Sequence, residues 1–425
     1  MTLSLGHTLR SLRSRNYRLF FAGQGLSLIG SWMTRIATSW LVYRMTGSTL
    51  WLGIVSFGEQ VPTFLITPIA GVLVDRWDRR RILVITQALS MLQSLAMGVL
   101  TLSGAITVTQ ILVLSVFQGL VNAFDVPARQ SFVIELVEKQ DHLGNAIALN
   151  STIFNGARLI GPSIAGVIIA VAGEGWCFLI DAVSYLAVIV ALIALRLAVR
   201  RRNLSPAPVL RQLREGFAYV AHFPPIRTIL LLVALTSLMG MPYTTLMPAI
   251  AAERLGGGPQ IYGLLMGATG LGAMCGALYL ASRHTVIGLG RVVTRAAMLF
   301  SLGLAAFAGS QYVAQAWVLL LFTGFGMLVQ MAGCNTLIQT LVDDDKRGRV
   351  MSLYASAFLG LSPFGNLVAG MLAERLGANL TLAIGGLACF IGAWWFGRAL
   401  SKLKPLVHAV YLKKGILREV ATSPG

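Results

Sequence analysis

Long apolar runs separated by short polar breaks fill most of the chain. A membrane-crossing helix needs roughly 20 mostly apolar residues. Runs of that length predict spans near 17–43, 50–74, 82–102, 107–126, 144–171 and 176–196. Six more follow near 226–250, 259–281, 291–309, 314–338, 350–373 and 379–398. The polar stretch 197–225 between the two sets opens with Arg200-Arg201-Arg202 and a Ser-Pro-Ala-Pro segment, then continues as LRQLREGFAYV. There Leu210, Leu213, Phe217 and Val220 fall on one helical face, as in an amphipathic helix lying on a membrane surface. The predicted fold class is an all-α membrane protein of twelve transmembrane helices in two pseudo-symmetric six-helix bundles. Its expected divisions are a bundle over 1–196, a linker over 197–225, a bundle over 226–398 and a tail over 399–425.

The two halves repeat at an offset of 205 residues: Gly71 matches Gly276, Gly119 matches Gly324, and Leu136-Val137 matches Leu341-Val342. With a one-residue gap, Gly161 and Gly166 match Gly365 and Gly370. Such duplication is the architecture of transporters whose halves rock about a central site.

Composition removes most alternatives. The 425 residues are 56% hydrophobic and 12% charged, against about 25% charged for a soluble protein. A net charge of +18 on such a chain does not call for a nucleic-acid partner. With the N-terminus inside, 29 of the 34 lysines and arginines fall on the cytoplasmic side, which places both termini there. The first apolar run is too long for a cleavable signal. Cys177, Cys275, Cys334 and Cys389 lie in apolar runs without CxxC spacing, and the five histidines fall outside the expected spans. No HExxH, GxGxxG or Walker lysine loop stands in a suitable context. The expectation is no enzyme, no cofactor and no metal.

Between the second and third spans stands GVLVDRWDRRRIL, from Gly71 to Leu83. Gly71 permits close helix approach, Asp75 ends a span, and Arg76, Arg79, Arg80 and Arg81 supply cations beside it. The segment resembles the loop 2–3 signature of the major facilitator superfamily. That resemblance implies a gating latch in which Asp75 faces the positive N-terminus of span 11 near Val350. It also implies that the basic residues pair with an acid ending span 4, Asp125, with Arg129 nearby. Leu280 replaces the aspartate in the second half. NGARLIGPSIAG, residues 155–166, resembles the span-5 antiporter motif of the same superfamily through Gly161-Pro162, with Gly166 one residue late. Three further segments, SLRSRNYRLFFAGQGLSLIGSWM, DVPARQSFVIELV and NAIALNSTIFNGARLIGPSIAG, resemble its bacterial drug-exporter branch, which includes the enterobactin exporter and macrolide efflux proteins.

Ionisable residues within spans are costly and usually functional. Arg35 and Glu59 lie at equal depth on consecutive antiparallel spans, roughly 12–13 Å from the outer ends, so a pair between them is expected. Arg158, near the middle of span 5, is the candidate for contacting cargo. Asp181 is a shallower acid in span 6. Glu59, Arg35 and Asp181 are candidates for proton coupling; Arg158, Trp32, Phe154 and Tyr354 are candidates for substrate binding. Aromatics in the spans suit a bulky amphipathic cargo. The expected function is export of amphipathic small molecules, drug or siderophore-like, by proton or sodium exchange. The protein is expected to be a lipid-embedded monomer in a bacterial inner membrane. A lipid or lysolipid flippase, or a non-transporting receptor on the same fold, are the alternatives.

Overall fold

The computed structural model describes residues 14–136, 143–195, 209–283 and 285–416, and among these no strand occurs. Helix α1 is Arg15–Thr46, started by the Ser14 side chain accepting from the Tyr17 N–H and stopped by Gly47 at φ 61°. Glycine bears that left-handed conformation without Cβ strain. Next come α2 (Thr49–Arg76), α3 (Arg79–Leu102), α4 (Val108–Leu136), α5 (Leu143–Ala172) and α6 (Glu174–Ala194). Helix α7 (Val209–His222) is the amphipathic element expected in the linker; its Phe217 is exposed and its Val220 buried. The side chains of Leu210 and Leu213, and the arginine run 200–202, lie outside the described residues.

The second half holds α8 (Pro224–Arg254), α9 (Pro259–Ala281), α10 (Leu289–Ala308), α11 (Val313–Leu341), α12 (Arg347–Leu376) and α13 (Ala378–Lys413). Two of these are interrupted: α8 by π turns at Thr236–Gly240 and Ile250–Arg254, and α12 by one at Ser356–Gly360. Among the described residues eleven helices are long and apolar enough to cross a membrane. The two outside that set are α7, too short at 14 residues, and α1. Helix α1 is long enough, at about 1.5 Å per residue, but carries Arg15, Arg18, Arg35 and Arg44.

Packing repeats between the halves. In the first, α2 and α3 pack on α4, and α1 and α3 pack on α6; in the second, α9 and α10 pack on α11, and α8 and α10 on α13. The crossings between halves repeat too, as α5 on α9 and α12 on α2. Both are glycine-to-glycine contacts. A Cβ on Gly166 would lie 3.0 Å from the Gly263 Cα, and one on Gly53 would lie 3.3 Å from the Gly370 Cα. Lipid tails are as apolar as leucine, so close backbone packing, not hydrophobic exclusion, holds such helices together.

These glycines sit toward one end of the assembly, here the distal end, where polar contacts also cross between halves. Tyr43 donates to Glu253, and Glu374 Oε2 accepts from the Ser48 hydroxyl (3.0 Å), the Thr49 hydroxyl (3.1 Å) and the Leu50 N–H (3.2 Å). Trp40 stacks on Tyr262 at 6.2 Å, and Phe57 meets Phe364 edge-on at 5.6 Å. The opposite end, carrying Asp75 and α7, is the latch end. There, added Cβ atoms on Gly71 and Gly348 would meet nothing within 4 Å. The halves are therefore closed distally and parted at the latch. The close helix approach expected of Gly71 is not made, since no other helix comes within reach of it here.

Candidate functional site

The expected Arg35–Glu59 pair is present, at 3.7 Å between Nη2 and Oε1, with side chains 57% and 27% exposed. Charged side chains exposed in the middle of two membrane-spanning helices face a cavity, since lipid would strand them. Glu59 is fixed by its backbone: α4 crosses α2 so closely that a Cβ on Gly119 would strike the Glu59 carbonyl oxygen. Thr63, one turn on, donates to the Gly119 carbonyl at 2.8 Å.

Trp32, one turn before Arg35, is flanked by two cations. The Arg35 guanidinium lies 5.0 Å from the ring centroid and the Arg158 guanidinium 5.9 Å. Phe154 meets the same ring edge-on at 6.0 Å. A guanidinium within about 6 Å of an indole face is held by the ring quadrupole. Arg158 also directs Nη2 at the Met327 sulfur, 3.9 Å away, and the buried Tyr243 hydroxyl donates to that same sulfur at 3.9 Å. The structure thus brings Trp32, Phe154, Arg158, Arg35 and Glu59 together from the first half, with Tyr243 and Met327 facing them from the second. Met327 was missed by the sequence reasoning; a methionine in an apolar run carries no signal separating cavity from core.

Local chemistry explains where Arg158 sits. Pro162 has no N–H, so the Arg158 carbonyl loses its helical partner. That carbonyl lies 3.0 Å from where a Gly270 Cβ would be, on α9. Gly161 seats α5 against α1, since its Cβ would lie 2.6 Å from the Trp32 Cβ. Gly161 therefore docks α5 on α1 at the level of the cavity, and Gly166 docks it on α9 toward the distal end.

Two candidates lie elsewhere. Tyr354 is 8% exposed, stacks on Phe358 and donates to the Met331 carbonyl at 2.9 Å. It is a satisfied residue of the second half's buried cluster and is not beside Trp32, so the substrate-binding expectation for it is corrected. Asp181 is 1% exposed and lies inside the first half, off the cavity, among Thr34, Ser94 and Ser184.

At the latch, Asp75 Oδ1 pairs with Arg79 Nη2 at 3.0 Å, and Arg80 donates to the Ile193 carbonyl at 2.6 Å, capping α6. Arg76 is exposed, and Asp78 caps α3. Asp125 is 2% exposed and accepts from Thr86 (2.9 Å) and Gln87 (2.8 Å). Its cation is Arg129, one turn along α4, instead of the loop arginines expected to reach it. A helical i,i+4 neighbour is preplaced, whereas a loop side chain must give up more freedom to pair.

The matched family model is described as a transmembrane secretion effector and spans residues 7–406. The chain belongs to that family, within the major facilitator superfamily. The transporter is 28% identical over 392 residues to the Staphyloferrin A transporter of Staphylococcus aureus, a match covering 91% of this chain and 97% of that one. It is 29% identical over 371 residues to the multidrug efflux pump Tap of Mycolicibacterium fortuitum, covering 83% and 88%. In structure it resembles a bacterial homologue of the human lysosomal transporter Spinster in an inward-facing, occupied conformation. There the TM-score is 0.72 at 13% identity, over 92% of this chain and 97% of that one. A D-xylose–proton symporter gives a TM-score of 0.69 at 13% identity, over 89% and 96%. The protein is accordingly a multi-pass membrane transporter of small molecules and not an enzyme.

Proposed function

We propose that the transporter exports amphipathic small molecules across a bacterial inner membrane by alternating access, in exchange for protons. The observation that carries this reading is Trp32 held between Arg35 and Arg158, with Glu59 paired to Arg35, in a cavity closed distally and open at the latch. The twelve spans, counting α1, form bundles over 1–196 and 226–398 joined by the linker 197–225, and residues 399–425 are a tail. The latch end is cytoplasmic, because lysine and arginine concentrate there. The protein works as a monomer, the cavity being complete within one chain.

Exchange follows from competition at Glu59. A cargo group that donates to this carboxylate disfavours its protonation, and a proton on Glu59 removes the acceptor. Each ligand weakens the other by the same factor, which is what exchange requires. Trp32 and Phe154 stack on the apolar part of the cargo, while Arg158 donates to its acceptor oxygens. The drug and siderophore names of the relatives agree with this class of cargo.

A susceptibility panel of drugs and siderophores in an efflux-deficient bacterium, comparing wild type with Arg158→Ala, tests the reading. Wild type should protect against at least one compound and the variant should not. Absence of protection against every compound would overturn export.

A further inference from the structure

Outside the cavity, the first half contains a second set of polar groups. Three of its acids are buried: Asp125 at 2% exposure, Glu174 at 5% and Asp181 at 1%. Asp125 is matched by Arg129, and Glu174 by Arg44 at 2.7 Å. Among the described residues Asp181 has no cation; its partners are all hydroxyls. Thr34 and Ser94 donate to Oδ2 at 2.7 and 3.0 Å, and Ser184 donates to Oδ1 at 3.3 Å. Helix α1 is seated directly on this carboxyl, for a Cβ on Gly30 would lie 2.5 Å from Oδ1. A buried charge matched by a guanidinium is locked in its charged form, since losing either partner's charge strands the other. Asp181 has no such lock.

A polar seam leads from it toward the latch. Tyr185, the next residue but three on α6, lies 3.3 Å from the Ser31 hydroxyl, and the buried Ser94, Ser90 and Thr86 follow one turn apart along one face of α3. Beside it Gln118 donates to Ser90 at 3.0 Å and to Asn122 at 3.1 Å. The seam ends at Asp125 with Thr86, Gln87 and Arg129, whose side chain is 26% exposed at the latch end. The groups facing Asp181 are Ser31 and Thr34 from α1, Gln93 and Ser94 from α3, and Cys177, Ser184 and Tyr185 from α6. The charged groups beyond these are Glu174 with Arg44 and Asp125 with Arg129.

We propose that Asp181 is a proton-binding site inside the first half, separate from the cavity, and that the polar seam through Tyr185 carries its protonation state to the Asp125–Arg129 pair and so to the latch. When the carboxyl proton leaves to water, the hydroxyls of Thr34, Ser94 and Ser184 can all donate to the carboxylate, and the hydrogen bonds of the seam reorient toward it. When the proton returns, one of those hydroxyls must accept instead of donate, and the seam relaxes toward Asp125. This gives the exchanger a proton site that cargo does not touch, and it rests on the exchange reading for its purpose but not for its test.

The test uses the full chain in lipid nanodiscs, with no cargo. Infrared spectra between about pH 5 and about pH 9 follow the protonated-carboxyl stretch, and paired spin labels on the ends of α2 and α12 report the latch distance. Wild type should show a titrating carboxyl band that Asp181→Asn lacks, and a pH-dependent latch distance that Asp181→Asn makes constant. Tyr185→Phe should keep the band and lose the latch response, which a purely structural role would not produce. An unchanged latch response in Asp181→Asn, or a carboxyl titration identical to wild type, overturns the proposal. Should that variant not fold, Ser94→Ala removes one donor to the carboxylate. A raised titration midpoint then supports the proposal, and an unmoved midpoint overturns it. Because cargo is absent, failure of every efflux assay would leave this result standing.

Discussion

Arg35 and Glu59 face each other at 3.7 Å across two antiparallel helices, both open to the same cavity. The pair is loose and partly hydrated, so water screens its attraction and its contribution to folding is small. Replacing Glu59 with glutamine should therefore leave expression and melting temperature near wild type. Proton-driven dye efflux from proteoliposomes should fall by about tenfold or more, because the competing acceptor can no longer change charge. Full activity in Glu59→Gln would place coupling elsewhere.

Gly166 and Gly263 set the distal closure. A side chain at either position meets backbone from the other half at 3.0 Å or less. Backbone cannot give way as a flexible side chain does, so Gly166→Leu should hold the distal end open while each half stays folded. Cysteine labelling at Thr49 from the outside should be faster in the variant than in wild type. Equal labelling would mean that the contact is not part of the gate.

The spans were legible from residue pattern because hydrophobic length is a property of each segment alone. The Arg35–Glu59 pair was legible for a related reason: depth in consecutive helices follows from counting residues. Partners brought together across the halves were not. Arg158 meets Met327 and Tyr243 from sequence positions far removed, through a docking of α5 on α9 that no local pattern encodes. Tyr354 was misassigned because the azimuth of a helix depends on its packing, and its ring points into the second half's core. Helix ends were also misread where helices leave the bilayer. Helix α4 continues to Leu136, well past the expected 126, and α13 runs to Lys413 through Lys402 and Lys404. Polar residues there face water, so hydropathy falls while the backbone remains helical.

Asp125 and Arg129 should govern stability more than the cavity pair does. Arg129→Ala leaves a carboxylate at 2% exposure with neutral partners only. Breaking such a pair costs about 3–5 kcal/mol, because the remaining charge is buried without compensation. Asp125→Asn combined with Arg129→Ala should recover much of that loss. Thermal denaturation of the purified variants checks both, and a double variant less stable than Arg129→Ala would contradict the assignment.

Helix α7 docks on the start of α12 and its preceding loop through contacts that are partly exposed. Glu215 pairs with Arg349 at 2.9 Å, the Tyr219 hydroxyl donates to Asp343 Oδ2 at 3.1 Å, and the Lys346 ammonium lies 4.8 Å from the Tyr219 ring centroid. Burial raises the Tyr219 hydroxyl above its ordinary value of 10.0, the nearby Asp343 carboxylate adding to it. A phenol whose pKa is higher folded than unfolded stabilises docking fully below its unfolded value, and that stabilisation is lost as pH climbs through the folded value. Docking should thus be constant through neutral pH and weaken only at alkaline pH above about 10. Tyr219→Phe, lacking the titrating group, should lose this alkaline transition in hydrogen exchange of residues 209–222. Exchanging the charges, as Glu215→Arg with Arg349→Glu, should restore the protection that either single variant loses. Since the pair is about a third exposed on each side, the coupling should be modest, on the order of 0.5 kcal/mol, and should shrink in high salt. A coupling unaffected by salt would assign the docking to the Tyr219 and Phe223 rings, which pack against the second half's core, instead of to charge.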